Sequence, residues 1–391
     1  DSTGASPALE KLTFLLPKKR KIRLVLAVVL ILFITLGIGL KYLKTQDEQK
    51  EKEFQVLLTL AQDKFRSAQS LASLNPNEAK NNLNLAKEKL DQALNLKPQD
   101  SKASDLKNKI SQEENSILQQ FSKVEFSLFL DLDLIKKDFS AQNLSLSGSS
   151  LLMLDQKTKT LVMVDTSKKS HQILAEKDKL SEASLASLNG AVAFVYSVDK
   201  GILKIDSAGK KNTIVSQKDN DWGKISDILG FGGNVYLLDV GHSGQVWKYL
   251  PTQDGYSDKR EYLQKGVKVD FAGSLRMQIE SSIYLLKTGG EMLRFTRGSA
   301  DFFSYGGLDK GVKDPKSFFV SSDTDNLYIL DSGNLRLLVL TKTGAYKQQY
   351  QDHKFGQFSD LAVDEKGKKV YLLEGSKIYQ MDLRDSSFHS E

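Results

Sequence analysis

Four histidines, His171, His242, His353 and His389, are the only imidazoles in the chain. No two of them stand at H-x-H or H-E-x-x-H spacing, the arrangements that put two nitrogens on one metal. With no cysteine at all, thiolate metal sites, cysteine nucleophiles and disulfides are excluded. No G-x-S-x-G elbow, G-x-G-x-x-G turn or phosphate loop occurs. Asp323-Thr324-Asp325-Asn326 has the composition of a calcium loop, but it lacks that loop's glycine and distal glutamate. It fits a hairpin turn, where Asp and Asn bond their own backbone. The residue types therefore point to recognition, with no cofactor or metal, and the elements that would present such residues must be found first.

Charge locates one of those elements. Residues 1–50 carry nine basic and four acidic side chains, which is five of the six net positive charges of the 391-residue chain. A nucleic-acid binder would carry its basic stripe on the folded domain, so no nucleic-acid partner is expected. Here the basicity surrounds the uncharged run Leu24–Leu40, which with Tyr42 and Leu43 is long enough to cross a bilayer. Residues 1–22 read as a basic cytoplasmic linker and 23–43 as a transmembrane helix in the lipid bilayer. The stronger basic flank, Lys18-Lys19-Arg20-Lys21-x-Arg23, keeps the N-terminal side cytoplasmic and the C-terminal domain extracytoplasmic, as a single-pass cell-membrane protein.

Residues 48–121 carry apolar stripes at helical spacing: Phe54, Leu57, Leu58, Ala61, Phe65, then Leu83, Ala86, Leu90, Ala93, then Ala103, Leu106, Ile110. Asn75-Pro76-Asn77 and Lys97-Pro98 interrupt them, so a small α-helical bundle is expected. The run Ala86, Leu90, Ala93, Pro98 resembles the second half of a tetratricopeptide repeat. That resemblance implies a peptide groove; a plain stalk is the simpler reading.

From residue 122 to 391 one unit recurs: apolar strand, turn, apolar strand. Its equivalent positions, Leu152, Phe194, Tyr236, Tyr284, Tyr328 and Tyr371, recur every forty-odd residues. Such a period predicts a mainly β domain, a six-bladed β-propeller. Phe126–Leu130, a lone apolar stretch before the first unit, is expected to close the ring as the outermost strand of the sixth blade. Residues 314–346 resemble an NHL repeat through Pro315, Asp331, Asn334, Arg336 and Gly344. Asp155 and Asp239 keep the acidic turn position, whereas Ser197 and Lys287 replace it. The resemblance implies a fold shared by binding modules, scaffolds and some enzymes.

A propeller of this kind is expected to bind on the face where inter-blade loops and the loops joining strands two and three converge. That face would present Trp222, Asp239, His242, Asp331, His353 and Phe355, with the two aromatics exposed as binding anchors. Asp227, Arg276, Ser317 and Asp360, near the starts of innermost strands, would line the channel. The function expected is a membrane-anchored binding or scaffold module for an extracytoplasmic protein or glycan. The alternatives are the sensor part of a larger signalling protein, with a phosphatase-like cytoplasmic domain upstream of residue 1, and a propeller hydrolase or lyase.

Overall fold

The computed structural model describes residues 18–208, 211–241 and 244–384. Helix α1, Lys18–Leu71, is unbroken, and its apolar part from Val25 to Leu43 is exposed along its length. It is the one helix among the described residues long and apolar enough to cross a membrane. The hydroxyl of Thr35 within it donates to the Ile31 carbonyl at 3.0 Å, so that polar group is satisfied inside the helix.

Two further helices follow, α2 (Pro76–Leu96) and α3 (Ser101–Ile117). Pro76 takes the first helical position, where no N–H is needed, and Asn75 Oδ1 accepts the Glu78 N–H at 3.2 Å as a cap. Asp100 does the same for α3, accepting the Ala103 N–H at 3.0 Å. The three apolar stripes of the sequence are the buried faces, and their alanines (Ala61, Ala86, Ala93, Ala103) are fully buried, as close helix approach requires.

The β domain is a six-bladed propeller. Every blade is a four-stranded antiparallel unit whose first strand is innermost. The innermost strands are Ala141–Ser147, Ala183–Asn189, Ile225–Phe231, Ser274–Ile279, Ser317–Phe319 and Asp360–Asp364, for blades 1 to 6. Apolar clusters fill the gaps between blades, for example Leu154, Leu161, Ala193 and Val195 between blades 1 and 2, and one continuous cluster serves both faces of blade 6. A single four-stranded sheet cannot cover both its faces, and the ring does so by stacking sheet on sheet.

Closure follows the expected pattern. Strand β2 (Ser127–Asp131) runs antiparallel to Lys377–Asp382 and completes blade 6. Its Phe129 is buried and meets the Tyr371 ring edge-on at 5.0 Å. The preceding strand β1 (Gln120–Ser122) was not anticipated: it adds in parallel to Tyr346–Gln351 as a fifth strand of blade 5. Asp131-Leu132-Asp133 reads in sequence as an exposed strand face. Instead Leu132 is buried in a 3-10 turn over Leu132–Leu134, and Asp131 Oδ1 accepts the Asp133 N–H at 3.1 Å.

Candidate functional site

The loops of the expected binding face are held by a repeated device. In blades 1 to 5 the last residue of the second strand grips the chain arriving from the previous blade. Asp155 accepts the Ser140 N–H at 3.4 Å, Asp239 the Gly223 N–H at 2.8 Å, and Asp331 the Lys313 N–H at 2.8 Å. Where the acid is replaced, the polarity inverts. Ser197 Oγ donates to the Leu180 carbonyl at 3.1 Å, and Lys287 Nζ donates to the Asp270 carbonyl at 3.0 Å. An N–H gripped by a carboxylate becomes a C=O gripped by a hydroxyl or an ammonium.

These acids are each committed to several hydrogen bonds within the propeller. Asp239 also accepts from Gly241 N and Trp247 Nε1. Asp331 is fully buried and also takes Asn334 Nδ2 and Arg336 Nε. Arg336, itself buried, spends four of its five N–H groups on Asp331, Asp309, Gln349 and the Lys310 carbonyl. Burial opposes the Asp309 charge, but Arg336 beside it outweighs burial and holds the Asp309 carboxyl below its usual range.

The expectation of two exposed aromatic anchors is corrected. Trp222 is 8% exposed and Phe355 is wholly buried. Trp222 donates its indole N–H to Tyr249 Oη at 3.1 Å and meets Tyr196 edge-on between blades 2 and 3. Phe355 packs edge-on against Phe126 and Phe358 at blade 6. Both sit in inter-blade loops, and those loops dip into the gaps between sheets, so the side chains plug the gaps instead of facing a partner. His353 is exposed at the start of a 3-10 turn, and His242 lies outside the described residues.

Asp227, Arg276, Ser317 and Asp360 occupy one register level, each paired with the same position of its neighbouring strand (Leu238, Leu286, Leu330 and Leu373). In blades 3 and 4 a bulge immediately precedes that level, which re-aims the Asp227 and Arg276 side chains. Arg276 leaves blade 4, crosses the axis and donates Nη2 to the Leu144 carbonyl of blade 1, the blade opposite, at 3.3 Å. On the way it passes Asp360 Oδ2 at 3.5 Å and Asp227 Oδ2 at 3.8 Å. Burial works against the guanidinium, but the two carboxylates outweigh it and keep its pKa above the ordinary value. Burial likewise pushes the Asp227 carboxyl above its usual range, against the pull of Arg276.

The innermost strands have no partner on their axial edge, so their N–H groups need acceptors from elsewhere. Side chains of the preceding blade supply them. Asp360 takes Leu144 N at 2.6 Å, Ser145 takes Leu188 N at 2.8 Å, Ser187 takes Gly230 N at 3.0 Å, and Asp227 takes Met277 N at 2.8 Å. This cog of side-chain oxygens and backbone donors links blades 6, 1, 2, 3 and 4 around the axis.

Above the Arg276 crossing lies a cavity of about 360 Å³, walled by the innermost strands and the turns that follow them. It opens at the end of the propeller opposite the expected face, through turns that include Ser147–Ser149, Asn189, Ser321–Asp323 and Glu365–Lys366. Arg276 and Asp227 form its floor, and Gln278, Phe319, Ile228 and Val363 stand in its wall. No cluster of three or more metal-ligating side chains exists among the described residues.

No protein-family model matches the sequence. No curated protein matches it either. Solved structures of similar fold include a gluconolactonase from Xanthomonas campestris, with a TM-score of 0.50, 11% identity, and coverage of 67% of this chain and 90% of that one. Regucalcin from Agrobacterium tumefaciens, described as a calcium-binding protein, gives a TM-score of 0.47 at 11% identity over 70% of this chain and 99% of its own. A chain of a nidogen/laminin complex gives 0.43 at 14% identity over 56% and 82%. At 11% identity the likeness to the gluconolactonase shows a shared fold alone.

Proposed function

We propose that this chain is a membrane-anchored binding module whose propeller faces outward and takes its ligand in the axial cavity. One observation carries the reading: Arg276 spans the channel to the Leu144 carbonyl, and beside that crossing lies a cavity of about 360 Å³ walled by all six innermost strands. A mixed polar and apolar cup suits capture of a small molecule or of a projecting group on a larger partner. The hydrogen-bonded acids and buried aromatics of the opposite face support assigning them to construction. Filling the cup tests the assignment. Gln278→Trp should abolish capture of partners from glycan and peptide arrays while leaving the melting temperature within a few degrees. Capture that survives this substitution would move the site elsewhere. The sensor reading keeps one supporting observation, the unbroken helix α1 that continues from the apolar stretch into the helical region without a hinge.

A further inference from the structure

We infer that the axial cup recognises a neutral saccharide, by its hydrogen-bond supply and its charge balance; the inference rests on the cup being the binding site. The wall has donors to spare. Arg276 is 8% exposed and carries five N–H groups, yet it makes one hydrogen bond of ordinary geometry, and its Nε has no partner. Two residues further along the same strand, Gln278 is also 8% exposed, and its amide makes no hydrogen bond with any described residue. An under-used guanidinium whose buried Nε has no partner is costly unless something occupies the cavity beside it, and the Gln278 amide, which bonds no described residue, faces the same space. Ser145, Ser147 and Ser187 accept backbone N–H groups through their oxygens, which leaves each hydroxyl hydrogen to donate.

Charge then restricts the occupant. The Arg276 guanidinium at the floor is already paired with the carboxylates of Asp227 and Asp360, so its positive charge is balanced within the propeller. Carboxylate and phosphate ligands would face Asp227 and Asp360, and an ammonium would face Arg276. A peptide entering the cup by its end brings one of those charges. A sugar ring brings none: its hydroxyls accept from Arg276 and Gln278 and donate to backbone carbonyls on the unpaired axial edges. Its C–H face can lie against the half-buried apolar residues Leu146, Ala186 and Leu229 of the wall. The volume of about 360 Å³ stands at the lower end of small-molecule sites (~300–1000 Å³), the scale of a sugar terminus.

The full chain in lipid nanodiscs would be titrated calorimetrically with neutral disaccharides (cellobiose, chitobiose, maltose, lactose), their uronic-acid and amino-sugar counterparts, and short peptides. At least one neutral disaccharide should bind, and Gln278→Leu should weaken it tenfold or more, with Gln278→Trp abolishing binding. Circular dichroism melts on both variants establish that they are folded. Tighter binding of a charged counterpart, or affinity unchanged by Gln278→Leu in a folded variant, overturns the saccharide assignment. If only peptides or charged ligands bind, and Gln278→Trp blocks them, the ligand class is wrong while the cup remains the site. Binding of every probe that is indifferent to Gln278→Trp sinks both.

Discussion

Trp222 illustrates how one residue's environment decides its role. An indole in a loop that follows Asn220-Asp221 looks like an anchor for a partner, but here its N–H is spent on Tyr249 and its ring fills the gap between blades 2 and 3. Removing such a side chain costs the transfer energy of its atoms and leaves a cavity, together about 3–5 kcal/mol. Trp222→Ala should therefore lower stability by about that much in chemical denaturation, and the loss should be the same with or without ligand. A variant that melts like the parent but loses capture would restore the surface reading. The acid positions follow the same logic. An Asp that ends a second strand is a staple, and the inversion to Ser197 and Lys287 shows that the staple can be built with either polarity. Gly344 of the NHL-like unit is a third case. Its φ is +94°, and a Cβ there would lie 2.2 Å from the Ser304 carbonyl oxygen, so no other residue fits without moving the chain.

At the scale of elements, the propeller depends on two short strands that precede its first blade. Strand β2 supplies the fourth strand of blade 6, and β1 covers the outer edge of blade 5. Both must be formed for the ends of the ring to be joined, and neither has strong local reasons to be a strand without the sheet it joins. Phe129 is the apolar residue that fastens β2, through Tyr371 and the core shared by blades 1, 5 and 6. Phe129→Ala should cost about 3–5 kcal/mol. Deleting residues 120–131 should expose two sheet edges and cause aggregation, visible by size-exclusion chromatography. A truncated chain that stays monodisperse with unchanged melting would show that the ring is closed by other means.

On the scale of the whole molecule, the proposed membrane anchoring makes a prediction about which side of a bilayer the propeller occupies. The basic cluster before Leu24 outweighs Lys41 and Lys44 after the apolar run, which favours a cytoplasmic N-terminal side. The chain has no cysteine, so a single reporter gives an unambiguous answer. Ser149→Cys, at an exposed turn on the rim of the cup, should react with a membrane-impermeant maleimide on intact cells. Labelling only after lysis would reverse the orientation and with it the outward-facing receptor.

Much of this architecture was written in one dimension. The repeat of forty-odd residues fixes the blade count, because each unit holds the same apolar alternation and cannot bury both sheet faces alone. The apolar run flanked by lysines and arginines, the helix breaks at Pro76 and Pro98, and the closing strand near Phe126 follow from composition and period in the same way. Local pattern could also place Asp227, Arg276, Ser317 and Asp360 at the starts of innermost strands. What it could not supply was direction and depth. Whether Trp222 and Phe355 face water or a neighbouring sheet depends on how far a loop dips between blades that are distant in sequence. That Arg276 reaches across to Leu144, 132 residues away, depends on two blades standing opposite each other in a closed ring. The cup exists only once the ring is closed, since no segment of the chain encodes a cavity that six strands enclose together.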